Sequence, residues 1–136
     1  MEDKTRVLVV EDQPVPRQLL TRILSRDGFD VRAAATAAEA IQIGESFLPH
    51  VLLTDWLLPD DANGLEVARG LLGAQPRLAI IFLTGLPADK LRPQVEEIGP
   101  CGFLEKPCDF DELLQAIRHC AAQQRDACLD GSGGED

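Results

Sequence analysis

The chain has 136 residues, of which 45% are hydrophobic and 26% charged, the proportions of one compact globular domain and not of a disordered segment. With 23 Asp and Glu against 13 Lys and Arg the formal net charge is -10. Phosphate backbones and anionic lipid would repel such a surface, so direct binding of nucleic acid or membrane by this domain is not expected.

The opening apolar run, VLVV, is too short for a secretory signal, and the longest run, at 78–83, is far too short to cross a bilayer. A cytoplasmic location is therefore expected. The first strand is RVLVV at 6–10, followed at once by Glu11 and Asp12. Val15, Leu19 and Ile23 then recur at helical spacing and predict a helix with one buried face. FDVRA at 29–33 is the second strand, and Ala37, Ile41, Gly44 and Phe47 mark the second helix. VLLT at 51–54 is the third strand and ends against Asp55; Leu65, Ala68 and Leu72 give the third helix. LAIIFL at 78–83 is the fourth strand, with Thr84 after it. Pro93 interrupts the next segment, PADKLRPQVEEIG, so a short helix is expected to begin near Arg92 with Pro93 in its first turn. CGFL at 101–104 is the fifth strand, followed by Lys106 and Pro107, and Phe110, Leu113, Ile117 and Cys120 line the inner face of the last helix. The domain is expected to occupy 1–123, with 124–136 a flexible C-terminal tail that ends in the Gly-rich acidic DGSGGED.

Strands one, three and four are apolar on nearly every residue, as parallel strands covered by helices on both faces are. Alternation of strand and helix with right-handed crossovers predicts a doubly wound α/β sheet, whose ligand site lies at the carboxyl ends of the strands. Glu11, Asp12, Asp55, Thr84 and Lys106 all fall there. Three neighbouring carboxylates repel one another, and a hard divalent cation with oxygen ligands, Mg²⁺ above all, relieves that repulsion. One carboxylate can then attack phosphorus to form an acyl phosphate while the ammonium and the metal stabilise the transferring oxygens. A carboxylate is already ionised at neutral pH, so no general base is required.

Taken together, VVEDQP, LLTDWLLP with Gly64 beyond it, IIFLTG and CGFLEKP resemble the receiver domain of bacterial two-component response regulators over about residues 5–123. The resemblance implies a flavodoxin-like (βα)5 fold with strand order 2-1-3-4-5. It implies that Asp55 is the phosphoacceptor, charged by a cognate histidine kinase or phosphotransfer protein, and that Glu11, Asp12, Asp55 and the backbone carbonyl of Leu57 hold Mg²⁺. Thr84 matches the switch hydroxyl, Phe103 the switch aromatic and Lys106 the lysine of the site, with a cis peptide bond between Lys106 and Pro107. Phosphorylation would draw Thr84 and Lys106 toward the new charge and let Phe103 turn inward, changing a surface read by a downstream effector protein or by a second copy in a homodimer.

Two departures from the family pattern stand out. The stretch DDAN between Pro59 and Gly64 is one residue longer than is usual; Asp60 and Asp61 could tune metal affinity or repel a donor, but the favoured reading is a solvated turn whose Asn63 caps the third helix. Leu57 and Leu86, two residues past Asp55 and Thr84, occupy positions that influence loss of the phosphoryl group in the family; both are apolar, which points to a long-lived phosphorylated form.

Rival classes fare worse. Nothing matches GxxxxGK[ST], and the turn EDQPVPR lacks the glycines of a nucleotide or flavin cradle. An aspartyl phosphatase would need a carboxylate where Leu57 stands, so turnover of an external substrate is not expected. The remaining alternative is a phosphorylation-independent interaction module on the same fold. The four cysteines, Cys101, Cys108, Cys120 and Cys128, have no metal-binding spacing and read as reduced thiols, Cys101 and Cys120 in the core. His50 and His119 read as surface residues, and Trp56 as either a lid or packing.

Overall fold

The computed structural model describes residues 4–99 and 102–133. Strands β1 (Arg6–Val10), β2 (Asp30–Ala34), β3 (Val51–Asp55), β4 (Ala79–Thr84) and β5 (Gly102–Glu105) alternate with helices α1 (Pro14–Arg26), α2 (Ala37–Phe47), α3 (Gly64–Leu72), α4 (Ala88–Val95) and α5 (Phe110–Gly133). All pairings are parallel and the order is β2-β1-β3-β4-β5, the expected doubly wound sheet.

Side chains alternate across a strand, so each central strand feeds two cores. Val7, Val9, Leu53 and Ile81 meet Leu20 and Leu24 of α1 and Leu113 and Ile117 of α5. Leu8, Leu52, Ile80 and Phe82 meet Ala40, Phe47, Val67 and Leu71 of α2 and α3 and Leu91 and Val95 of α4. The edge strands β2 and β5 are only partly covered, which matches their more polar sequences.

Several elements differ from expectation. Strands β3 and β4 run one residue further, so Asp55 and Thr84 are their last residues and pair in register with Leu83 and Glu105. In α1 the buried side chains are Leu20 and Leu24, while Val15 and Leu19 are 67% and 39% exposed. This sequence has apolar residues on two faces, and the face of Leu20 and Leu24 is the one packed on Val7, Val9, Leu113 and Ile117; Arg17 donates from the helix to the carbonyls of Glu11 and Asp12. Phe110, at the start of α5, is exposed rather than buried.

Helix α4 begins at Ala88, not near Arg92, and carries Pro93 in its interior. Its first N–H is taken by the Glu105 carboxylate at 3.0 Å, and burial of Leu91 and Val95 one turn apart holds it across the proline. A 3₁₀ turn, Glu96–Ile98, follows and ends at left-handed Gly99. Helix α5 continues to Gly133, through most of the segment expected to be a tail; AAQQRDA is made largely of strong helix formers, which outweighed the Gly-rich end. Residues 134–136 lie outside the described residues.

Cys108 is a free thiol, but Cys120 is disulfide-bonded, against the expectation of reduced thiols throughout. That expectation weighed spacing and compartment, which say nothing of cysteines brought together by packing. Cys101 lies outside the described residues. His50 is half-buried and its Nδ1 accepts the N–H of Arg6 at 2.9 Å, joining the starts of β1 and β3.

Gly64 is required where α3 starts behind the site. Its N–H donates to the Trp56 carbonyl at 2.8 Å, and a Cβ there would sit 2.6 Å from the Asp55 carbonyl oxygen and 2.9 Å from Thr54 Cγ2. Gly64→Ala is expected to destabilise the fold by about 1–3 kcal/mol through overpacking, measured by urea denaturation; an unchanged midpoint would contradict this close approach.

Candidate functional site

Parallel register brings the strand ends together. Val10 pairs with Thr54, so Glu11 follows beside Asp55; Asp55 pairs with Leu83, so Thr84 lies one step beyond; Thr84 pairs with Glu105, so Lys106 lies one step further again. An open cavity of about 430 Å³ lies over this rim, with Asp12, Asp55, Trp56, Leu57, Thr84 and Lys106 among its walls.

Carboxylate oxygens of Glu11, Asp12 and Asp55 lie within 4.8 Å of one another. Glu11 and Asp55 are almost completely buried, whereas Asp12 is exposed. Lys106 Nζ is 2.8 Å from Asp55 Oδ1 and 3.6 Å from Glu11 Oε1. At 2.8 Å the contact with Asp55 is a close ion pair with a buried carboxylate oxygen. Glu11 is better served: its Oε2 accepts from the N–H of Gln13 at 3.1 Å.

Burial is the largest influence on Asp55 and pushes its carboxyl up to about 7. The Lys106 ammonium opposes that rise, and the neighbouring Glu11 carboxylate adds to it. For Lys106, burial alone would lower the ammonium, but Asp55 and Glu11 outweigh it and raise its pKa. Three carboxylates grouped around one ammonium form an all-oxygen set short of positive charge, and it fits a hard divalent cation.

Thr84 faces the cavity, but its hydroxyl is engaged locally. Oγ1 accepts from the N–H of Leu86 at 2.8 Å and donates to the Leu86 carbonyl at 3.2 Å. Phe103 lies on β5, half-buried; its ring stacks on Phe82 at 5.5 Å, and the Arg92 guanidinium lies over the ring, 5.2 Å from its centroid. It is thus packed inward already. Trp56 is buried edge-on against Phe82 at 5.2 Å, so it belongs to the packing beneath the cavity and is not a lid. Leu57 and Leu86 flank the opening with 70% and 45% of their surface exposed. The Lys106–Pro107 peptide bond is cis.

Three contributors carry no signal in the sequence. Arg17 clamps the Glu11–Asp12 turn from α1, and Glu105 holds the start of α4. Asp60 reaches α2, accepting from Ala37 and Ala38.

A doubly wound parallel sheet with a buried carboxylate, an acidic neighbour pair and a lysine at its carboxyl rim defines a class of signalling domain, and similarity to known proteins agrees with it. Residues 7–118 match the response regulator receiver domain, and the chain belongs to that family. It is 32% identical over 122 residues to the response regulator GacA of Pseudomonas aeruginosa, a match covering 88% of this chain and 56% of GacA. With the response regulator MprA of Mycobacterium tuberculosis it shares 35% identity over 113 residues, covering 83% of this chain and 49% of MprA. The chain therefore spans about half the length of these relatives. Among solved structures, a CheY-like response regulator receiver domain protein from Methanospirillum hungatei superposes with a TM-score of 0.84 at 26% identity, over 91% of this chain and 98% of that one.

The raised pKa of Asp55 gives a test of the site's electrostatics. An unfolded Asp titrates near 3.9, so across roughly pH 4 to 7 the native chain holds more protons than the unfolded chain, and stability falls as pH rises through that window. Without divalent cation, Asp55→Asn should therefore be more stable than the wild type above pH 7, by a margin that closes toward pH 4. Denaturant titrations across this range would show it, and a margin independent of pH would refute it.

Proposed function

We propose that this receiver domain is a phosphoacceptor in two-component signalling: Asp55 takes a phosphoryl group from a cognate cytoplasmic histidine kinase or phosphotransfer protein. The observation that carries this reading is the buried Asp55 carboxylate, its Oδ1 2.8 Å from the Lys106 ammonium and its oxygens grouped with those of the acidic pair. Bound Mg²⁺, held by the carboxylates of Glu11, Asp12 and Asp55 and the carbonyl of Leu57, would supply charge neutralisation to the transferring oxygens.

The chain's own groups do the rest. Burial leaves the Asp55 carboxyl at about 7, and a bound cation would favour its ionised form; in that form it attacks phosphorus, forming an acyl phosphate bond as the bond to the donor nitrogen breaks. Lys106 is in reach of a phosphoryl oxygen without leaving its place beside Asp55. Thr84 gives up Leu86 and donates its hydroxyl to another. That movement withdraws support from the β4–α4 turn and, through it, from the Phe103 and Arg92 contact, altering the surface of α4, β5 and α5 that an effector protein or a second phosphorylated copy reads. Catalysis is confined to the domain's own phosphorylation and slow dephosphorylation. The phosphorylation-independent module explains none of the site's charge arrangement.

Trp56, the sole tryptophan, adjoins the acceptor and reports on it. Adding a small-molecule phosphodonor with Mg²⁺ is expected to change its fluorescence and to add one phosphoryl mass to the wild type, with neither change in Asp55→Asn. Absence of both changes in the wild type, with beryllofluoride also silent, would favour the interaction module.

The apolar rim sets the lifetime of the product. The side chains of Leu57 and Leu86 offer no hydrogen-bonding group to hold an attacking water, so spontaneous loss of the phosphoryl group should be slow. Leu57→Asn should quicken it by about tenfold, below the usual effect of a positioned acid or base. Release followed by phosphoprotein mass would decide, and equal rates in the two proteins would remove the leucine from this role.

A further inference from the structure

The acidic loop after the acceptor is not a free solvated turn. Leu57 and Asn63 form an antiparallel bridge, the Leu58 N–H donates to the Ala62 carbonyl at 3.2 Å, and Gly64 closes the base on Trp56. Asp61 takes a left-handed conformation, φ 58°, so the segment doubles back as a small hairpin with Asp60 and Asp61 at its tip. As expected, Asn63 caps α3, in a reciprocal box with Glu66.

Asp60 does something else. Its two carboxylate oxygens accept from the first two N–H groups of α2, Oδ1 from Ala37 at 3.3 Å and Oδ2 from Ala38 at 3.2 Å. The third N–H of that helix, from Glu39, goes to Thr36 Oγ1 at 3.1 Å. Three donors that a helix start leaves without partners are thus shared between a local cap and a residue 22 or 23 positions away. Burial acts to raise the Asp60 carboxyl, but the N–H groups of Ala37, Ala38 and Asp60 itself outweigh it and lower its pKa. The carboxylate is therefore charged at neutral pH, where the positive end of the helix attracts it.

We propose that Asp60 is a positioning residue for the metal site: by fastening the hairpin tip to α2 it holds Leu57, at the hairpin base, where its carbonyl can serve as a ligand. This rests on the proposed Mg²⁺ site and extends it. Asp60 touches no reacting atom. Its contribution is to restrict the loop before the cation arrives, so that less ordering is left to do on binding.

Mg²⁺ alone, titrated against Trp56 fluorescence and by calorimetry, tests this without any phosphodonor. Asp60→Ala should weaken Mg²⁺ on the order of tenfold, as loss of a group that orients a ligand does, and Asp60→Asn, which keeps one acceptor, should weaken it less. Asp61→Asn removes the same charge from the same tip but no bond to α2, and should leave affinity near wild type. Thr36→Ala removes the local α2 cap alone; it should lower thermal stability and leave affinity unchanged. Amide exchange at Ala37, Ala38 and the 57–63 loop should quicken in Asp60→Ala without Mg²⁺. Equal weakening by Asp60→Ala and Asp61→Asn would reduce the effect to charge and overturn the proposal, as would lower stability with unaltered affinity. A wild type that fails to bind Mg²⁺ at all would instead overturn the metal site beneath it.

Discussion

Excess negative charge at one edge of the sheet is the constraint on which this molecule turns. Asp55 sits at 3% exposure next to a second buried carboxylate, and a single ammonium serves both. In an isolated chain these groups would move apart or take up protons. Here they cannot separate, because Glu11 and Asp55 extend neighbouring hydrogen-bonded strands whose register is locked by completely buried residues on both faces. Hydrophobic burial in the sheet holds the carboxylates together, and the site is left demanding positive charge.

The parts available to move are those least tied to the sheet. Helix α4 buries only Leu91 and Val95, contains Pro93 and gives way to a 3₁₀ turn, so its closing turn lacks the regular hydrogen-bond ladder of its neighbours. Thr84 is bonded to the loop leading into that helix, and Phe103 is covered by Arg92 from it. In the proposed switch, a new charge at Asp55 competes for the Thr84 hydroxyl, and the rearrangement falls on α4 because the strands on the other side have no room to yield.

Much of this was legible in the sequence. Near-continuous apolar runs at β1, β3 and β4 are the signature of strands covered on both faces, and the residues that end them carried the chemistry. Glu11, Asp12, Asp55, Thr84 and Lys106 meet because a parallel sheet puts all its carboxyl ends on one side. Phase was harder to read. Val15, Leu19 and Ile23 keep helical spacing as well as Leu20 and Leu24 do, and the choice between the two faces is made by packing against β1 and α5, which spacing along one helix does not show. Pro93 read as a helix start because the local cost of an interior proline was visible, whereas the burial of Leu91 and Val95 that offsets it depends on the completed core. The Cys120 disulfide likewise depends on packing that spacing along the chain does not show.

The long-range caps show most plainly where sequence reading stops. Asn63 and Thr36 cap the helices that follow them, and short-range patterns of this kind are readable. Asp60 and Glu105 do the same chemical task for α2 and α4 from other parts of the chain, and no periodicity links Asp60 to Ala37 or Glu105 to Ala88. Both carboxylates stand beside site residues, Asp60 on the loop that leaves Asp55 and Glu105 immediately before Lys106. A helix start held in this way is coupled to the site through one side chain. In the proposed switch, these two carboxylates are the routes by which a charge change at the rim would reach the starts of α2 and α4.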